Sequence, residues 1–259
     1  MTAPIPEPTA PTPDPDDPRT LLMGRVKEAL LALPGYFNST TNIEGIDASD
    51  LFALNTMLGT TIEVQVTNTL NRIRDVWDPH DEWPLHRFDR QAQTFPDVLL
   101  RRQLDSGDYD VALGIELKGW YVLSKEAEPS FRYTVTPAAC TDWDLLAVVP
   151  WHLSNVLSGV PRVVSPGLWS ARHTAEYRNY WWQHVRETKH SRTIEAPHVE
   201  APYRQRSNTS DKPAYDGGGN FGRIARIGIM NDWTKDILTR PLAGIVVREW
   251  IDFLKRTTT

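Results

Sequence analysis

The chain has 259 residues, 40% of them hydrophobic, and a formal net charge of -5. That length can bury a full core, and the acidic balance excludes a protein coated with positive charge for indiscriminate nucleic-acid binding. Its single cysteine, Cys140, excludes an internal disulfide and a cysteine-based zinc cluster; with no apolar run near the ~20 residues that span a bilayer and no secretory leader, a cytoplasmic protein with no membrane segment is expected.

Residues 1–18 are dense in proline, threonine and acid and have little to bury, so a disordered tail is expected ahead of a single domain over 19–259. Asp17 before Pro18 marks a helix start. Leu21, Leu22, Val26, Ala29, Leu30 and Leu33 then keep helical spacing until Pro34-Gly35 stops it. Leu51, Leu54, Leu58, Ile62, Val66, Leu70, Ile73 and Trp77 predict one long helix, or two joined near Gly59, ended by Asp78-Pro79. Two apolar runs follow, one after Asp97 and one over Asp110 to Trp120, and read as neighbouring strands. Phe131–Val135 and Leu145–Val149 predict two more, the second apolar on both faces as a covered central strand is. Arg172–Lys189, Arg223–Leu238 and Leu242–Lys255 read as helices, with a stretch punctuated by proline and glycine from Ile194 to Gly222. Helices, then strands, then helices predict an α/β or α+β domain with a mixed sheet flanked by helices.

The chemistry concentrates on the first two strands. Residues i and i+2 of a strand share a face, so Glu116 and Lys118 project together while Leu117 turns the other way. Asp97 brings a second carboxylate from the neighbouring strand. Paired hard oxygen ligands suit a divalent cation, and an adjacent lysine can orient a water and balance charge on a phosphate under attack. The same pattern also fits the polar edge of an ordinary hairpin, with Lys118 paired to Glu116. Glu187-Thr188-Lys189 is a control: it repeats the triplet in a helical stretch, where i and i+2 share no face.

Pro96-Asp97, Glu116-Leu117-Lys118 and the upstream helix carrying Gly59 to Glu63 resemble the PD-(D/E)xK nuclease superfamily and, within it, the type II restriction endonucleases. The resemblance covers roughly residues 51–151 and implies a restriction-endonuclease-like core, a four-stranded mixed sheet between helices. It implies that Asp97, Glu116 and the Leu117 carbonyl ligate Mg2+, that Lys118 orients or helps deprotonate the attacking water, and that Glu63 completes the site or serves a second metal. The activity it implies is site-specific hydrolysis of double-stranded DNA to 5′-phosphate ends by a homodimer that needs no ATP, with residues 152–259 supplying recognition and dimerisation. The rival readings are a repair or phage-processing nuclease of the same superfamily and a catalytically silent DNA-binding protein on its scaffold.

From Arg162 to Arg226 there are 11 Lys and Arg against 6 Asp and Glu, which predicts a basic face inside an acidic whole. Arginine and asparagine make paired hydrogen bonds to guanine and adenine. Arg192, Arg204, Arg206, Asn208, Lys212, Asn220 and Arg223 are therefore the candidate DNA-binding group. The histidine-containing segment Asp78–Asp89 matches no zinc spacing and reads as a polar loop. Gly217–Arg223 lacks the Gly-Lys-Ser/Thr ending of a nucleotide loop. Tyr177, Tyr180, Trp181 and Trp182 are too dense for one solvated face and predict core packing or a subunit interface.

Overall fold

A computed structural model describes residues 5–48, 50–91, 94–187, 189–203 and 208–257. Helix α1 (Pro18–Leu31) starts where Asp17 accepts from the Arg19 amide and Pro18 occupies the first turn, where its missing N–H costs nothing. A short α2 (Leu33–Tyr36) follows. Helix α3 (Leu54–Arg72) runs unbroken through Gly59 and buries Leu54, Leu58, Ile62, Val66 and Leu70, a stripe at four-residue spacing. A turn of helix, α4 (Arg74–Trp77), leads into the polar loop, where buried Asp78 accepts from Arg74 and from the Glu82 and Trp83 amides.

The sheet follows. Strands β1 (Arg87–Arg90), β2 (Val98–Gln103) and β3 (Tyr109–Tyr121) are antiparallel neighbours, and β3 pairs in parallel with β4 (Leu145–Leu153). The far edge of β4 is shared by β5 (Pro161–Val163) and β6 (Gly167–Ser170), both antiparallel to it. The chain is thus a mixed sheet flanked by helices. Every residue of β4 except His152 is buried, which is the covered strand its apolar run predicts.

Five expectations change. Phe131–Val135 is extended but joins no ladder of the sheet, because β3 and β4 pair directly with each other and leave no free edge between them; it makes only the isolated bridges Arg132↔Arg223 and Val135↔Ser210. Helix α5 (Ala171–Tyr180) passes into a wider π turn over Trp181–Val185 and stops short of Lys189. Two-residue strands β7 (Ile194–Glu195) and β8 (Lys212–Pro213) pair within the punctuated stretch. The run after Arg223 breaks at Gly228, whose φ of 84° ends a 3-10 turn before α6 (Asn231–Thr239). Ala243 and Gly244, also at positive φ, turn a hairpin between β9 (Pro241–Leu242) and β10 (Ile245–Val246), so α7 (Val247–Thr257) begins five residues later than the pattern suggests. No helix among the described residues is long and apolar enough to cross a membrane.

Asp144, fully buried, ties the start of β4 to β3. Its carboxylate accepts from the Gly114 amide at 2.7 Å, from the Thr141 amide at 2.8 Å and from the Tyr203 hydroxyl. Burial pushes its carboxyl up to about 6 despite those donors. The native state therefore keeps a proton between about pH 4 and 6 that the unfolded chain has released, so this residue makes stability fall as pH rises through that window and adds nothing to the slope above it. Urea unfolding of Asp144→Asn against wild type should show a lower stability overall and a shallower fall between pH 4 and 6; parallel profiles would contradict the assignment.

Candidate active site

Asp97 stands just before β2, opposite Glu116 when the β2–β3 register Val98↔Ile115 is extended by one residue. The preceding loop is tied down by Gln91, whose amide donates to the Asp97 carbonyl at 2.7 Å and whose side chain donates to the Pro96 carbonyl at 2.9 Å. Pro96 lies across β3 at Gly114, where a Cβ would meet the proline Cγ at 2.4 Å. Glycine is what lets the loop come this close.

Alternation along β3 then does what the spacing predicts. Leu117 is buried on the other face, and Glu116 and Lys118 project together toward Asp97. The Lys118 ammonium lies 2.9 Å from Asp97 Oδ2 and 2.9 Å from Glu116 Oε1. The Asp97 amide donates to Glu116 Oε2 at 3.3 Å, and the Leu117 amide donates to Asp97 Oδ2 at 3.0 Å. On an extended strand the N–H and C=O of one residue leave by the same edge, so the Leu117 carbonyl opens toward the Asp97 flank as well.

Glu63 reaches this group from α3. The helix is fastened at both ends: Asn55 accepts from the Tyr121 amide at 2.9 Å, and Asn71 exchanges two 2.8 Å bonds with the backbone of Phe88 on β1. Between these points it passes close to β3, and a Cβ on Gly119 would stand 3.5 Å from the Gly59 Cα. One turn after Gly59, the Glu63 carboxyl sits 3.6 Å from Arg90 and within the fields of Asp97 and Lys118.

The electrostatics follow from burial and crowding. Burial pushes the Glu116 carboxyl up to about 7, with Lys118 pulling down and Asp97 pushing up. Burial disfavours the Lys118 ammonium, but Glu116 and Asp97 together outweigh it and hold the amine well above its ordinary range. Glu63 is raised first by burial and then by the Asp97 charge, while Lys118, the Gly119 amide and Arg90 hold it back. Two carboxyls around one lysine, with Glu63 within the field of Asp97 and Lys118, form a group that an added cation would relieve of repulsion. No ready-made cluster of three or more His, Cys, Asp or Glu ligands exists among the described residues. The donor set that does exist, two carboxylates, a backbone carbonyl and Glu63 nearby, is all hard oxygen, the chemistry Mg2+ takes.

The site opens into a cleft of about 470 Å³. Asp97, Glu116, Thr94 and Phe95 contribute to its lining, as do Arg132 to Val135 and Asn208 to Ser210 with Lys212. Of the candidate DNA-binding group, Asn208 and Lys212 line this cleft. Arg192 donates to the Gln183 carbonyl, and Asn220 lines a separate small depression with Arg186 and Tyr215. Arg223 is bridged to Arg132, and Arg204 and Arg206 lie outside the described residues. Arg132 is a cleft residue that sequence reasoning missed, because no local pattern joins it to positions near 210. In the aromatic cluster, Trp182 is buried against Phe221 with Arg186 over its ring at 3.2 Å.

Two glycine substitutions test this construction. Gly114→Ala should cost about 1–3 kcal/mol in chemical unfolding, because the methyl displaces the Pro96 ring, whereas Gly119→Ala, in ordinary contact at 3.5 Å, should change stability by less than about 0.5 kcal/mol. Equal costs would show that the Asp97 loop does not rest on Gly114.

Comparison of the chain with protein-family models, with curated proteins and with solved structures finds no match.

Proposed function

We propose that the chain is a magnesium-dependent endonuclease of the type II restriction kind, acting on double-stranded DNA in the cytoplasm. The observation that carries this reading is the meeting of Asp97, Glu116 and Lys118, with 2.9 Å from the ammonium to each carboxylate, at the mouth of a polar cleft. The restriction-endonuclease-like core is supported by the order of β1 to β4, three antiparallel strands followed by a parallel one, with α3 laid over the site. An exclusively structural lysine-carboxylate cluster is a poor alternative, since partly buried ion pairs seldom add net stability and like carboxylates at close range subtract from it.

Magnesium held by Asp97, Glu116 and the Leu117 carbonyl would supply Lewis-acid charge to the phosphate. Lys118, an ammonium held beside both carboxylates, donates hydrogen bonds: it orients the attacking water and offsets the charge that builds on the phosphate. Glu63 stands where it can steady a further cation or a water. The water oxygen bonds to phosphorus as the bond to the 3′ oxygen breaks, leaving a 5′ phosphate and a 3′ hydroxyl. Cutting two antiparallel strands calls for two copies of the site related by two-fold symmetry, hence a homodimer. No step requires ATP.

Digestion of a mapped phage DNA with Mg2+ tests the reading. Wild type should give discrete fragments, and Asp97→Asn, Lys118→Ala and added EDTA should each cut the rate by at least about 100-fold. DNA left intact by wild type, or cleaved at the wild-type rate by Asp97→Asn, would contradict it.

A further inference from the structure

The wall of the cleft that faces the carboxylates is built from two extended segments far apart in sequence. The Thr136 amide donates to the Thr209 carbonyl at 2.7 Å, the Asp211 amide to the Thr134 carbonyl at 2.8 Å, and the Thr134 hydroxyl to Ser210 Oγ at 3.1 Å. Behind this pair lies Arg178 of α5, which is 1% exposed. It donates to the Tyr133 and Val135 carbonyls, both at 2.8 Å, and is ion-paired to buried Asp211. Asn179 adds a bond of 2.8 Å to the same carboxylate. The wall is therefore braced from the protein side before any ligand arrives.

Its cleft side is cationic and hydroxylic. Arg132 and Lys212 line it with Thr134, Thr209 and Ser210. The Arg132 guanidinium donates to the Gly219 carbonyl, and among the described residues neither Arg132 nor Lys212 has a carboxylate partner. The carboxylates across the cleft are already engaged by Lys118. Two cations without counter-ions, set among hydroxyls on a rigid wall, are the donors that phosphate oxygens take. A chain carrying successive phosphates can engage both walls at once.

We infer that Arg132 and Lys212 grip a backbone phosphate of DNA beside the one presented to Asp97, Glu116 and Lys118, and so hold the strand across the cleft. This grip rests on the proposed nuclease for the identity of its ligand, but it is read out by binding, without cleavage. Both side chains reach solvent, so their removal should spare the fold.

Fluorescence anisotropy with a short labelled duplex in EDTA, across a salt series, provides the test. Arg132→Gln with Lys212→Gln should bind at least tenfold more weakly and lose about one from the slope of log affinity against log salt, for the one phosphate they share. Arg240→Gln with Arg248→Gln, which removes the same charge from exposed positions at the C-terminal end, should keep the wild-type slope. Unchanged affinity and slope in the cleft variant, equal losses in both variants, or no binding by wild type would each overturn the grip. Weaker binding by the cleft variant alone, from a protein that never cuts DNA, would sustain the grip and sink the nuclease. Cleavage by wild type with unchanged binding by the cleft variant would do the reverse.

Discussion

Asp97 and Glu116 share one ammonium, and the architecture around them is arranged so that they must. At 2.9 Å each contact with Lys118 is worth about 6 kcal/mol of Coulomb attraction at the effective dielectric of a protein surface, but taking the charges out of water offsets most of it. The two carboxylates also repel each other, and burial already holds the Glu116 carboxyl near 7. Such a cluster adds little to stability and is sensitive to any cation that enters it. That balance is characteristic of a site held for chemistry.

Several parts of the fold serve to keep the group together. Register sets Asp97 opposite Glu116, strand alternation sets Lys118 beside Glu116, and Gly114 admits the loop that carries Asp97. Helix α3, tied at Asn55 and Asn71, places Glu63 above them. Asp144 fastens β3 to β4 through the Gly114 amide, so the glycine that admits Pro96 also anchors the parallel pair. A shift of one residue in β3 would turn Glu116 and Lys118 to the other face and dismantle the site.

This part was legible in the sequence because it depends on local rules. A period of two on a strand, a period near 3.6 on α3 and the Asp17-Pro18 start each need only neighbouring residues. The opposite wall was not legible, because Arg132, Arg178 and Asp211 meet through long-range contacts that no spacing encodes. The strand expected at Phe131–Val135 failed for the same reason: its propensity is that of a strand, but β3 and β4 had already paired with each other. Helix ends after Arg223 were misjudged where Gly228 and the Ala243-Gly244 turn impose positive φ. Charge along the basic stretch does not say which cations share the cleft: Lys212 lines it with Asp97 and Glu116, whereas Arg192 donates to the Gln183 carbonyl.

The proposed function requires Asp97 and Glu116, which flank Lys118, to form together a centre for a divalent cation. Calorimetric titration of Mn2+, which accepts the same hard oxygen ligands, into the wild-type protein tests this without DNA or catalysis. The account predicts saturable binding to wild type that disappears in the Asp97→Asn, Glu116→Gln double variant while the variant remains folded. Binding of equal strength and number in both proteins would place the cation elsewhere and contradict it.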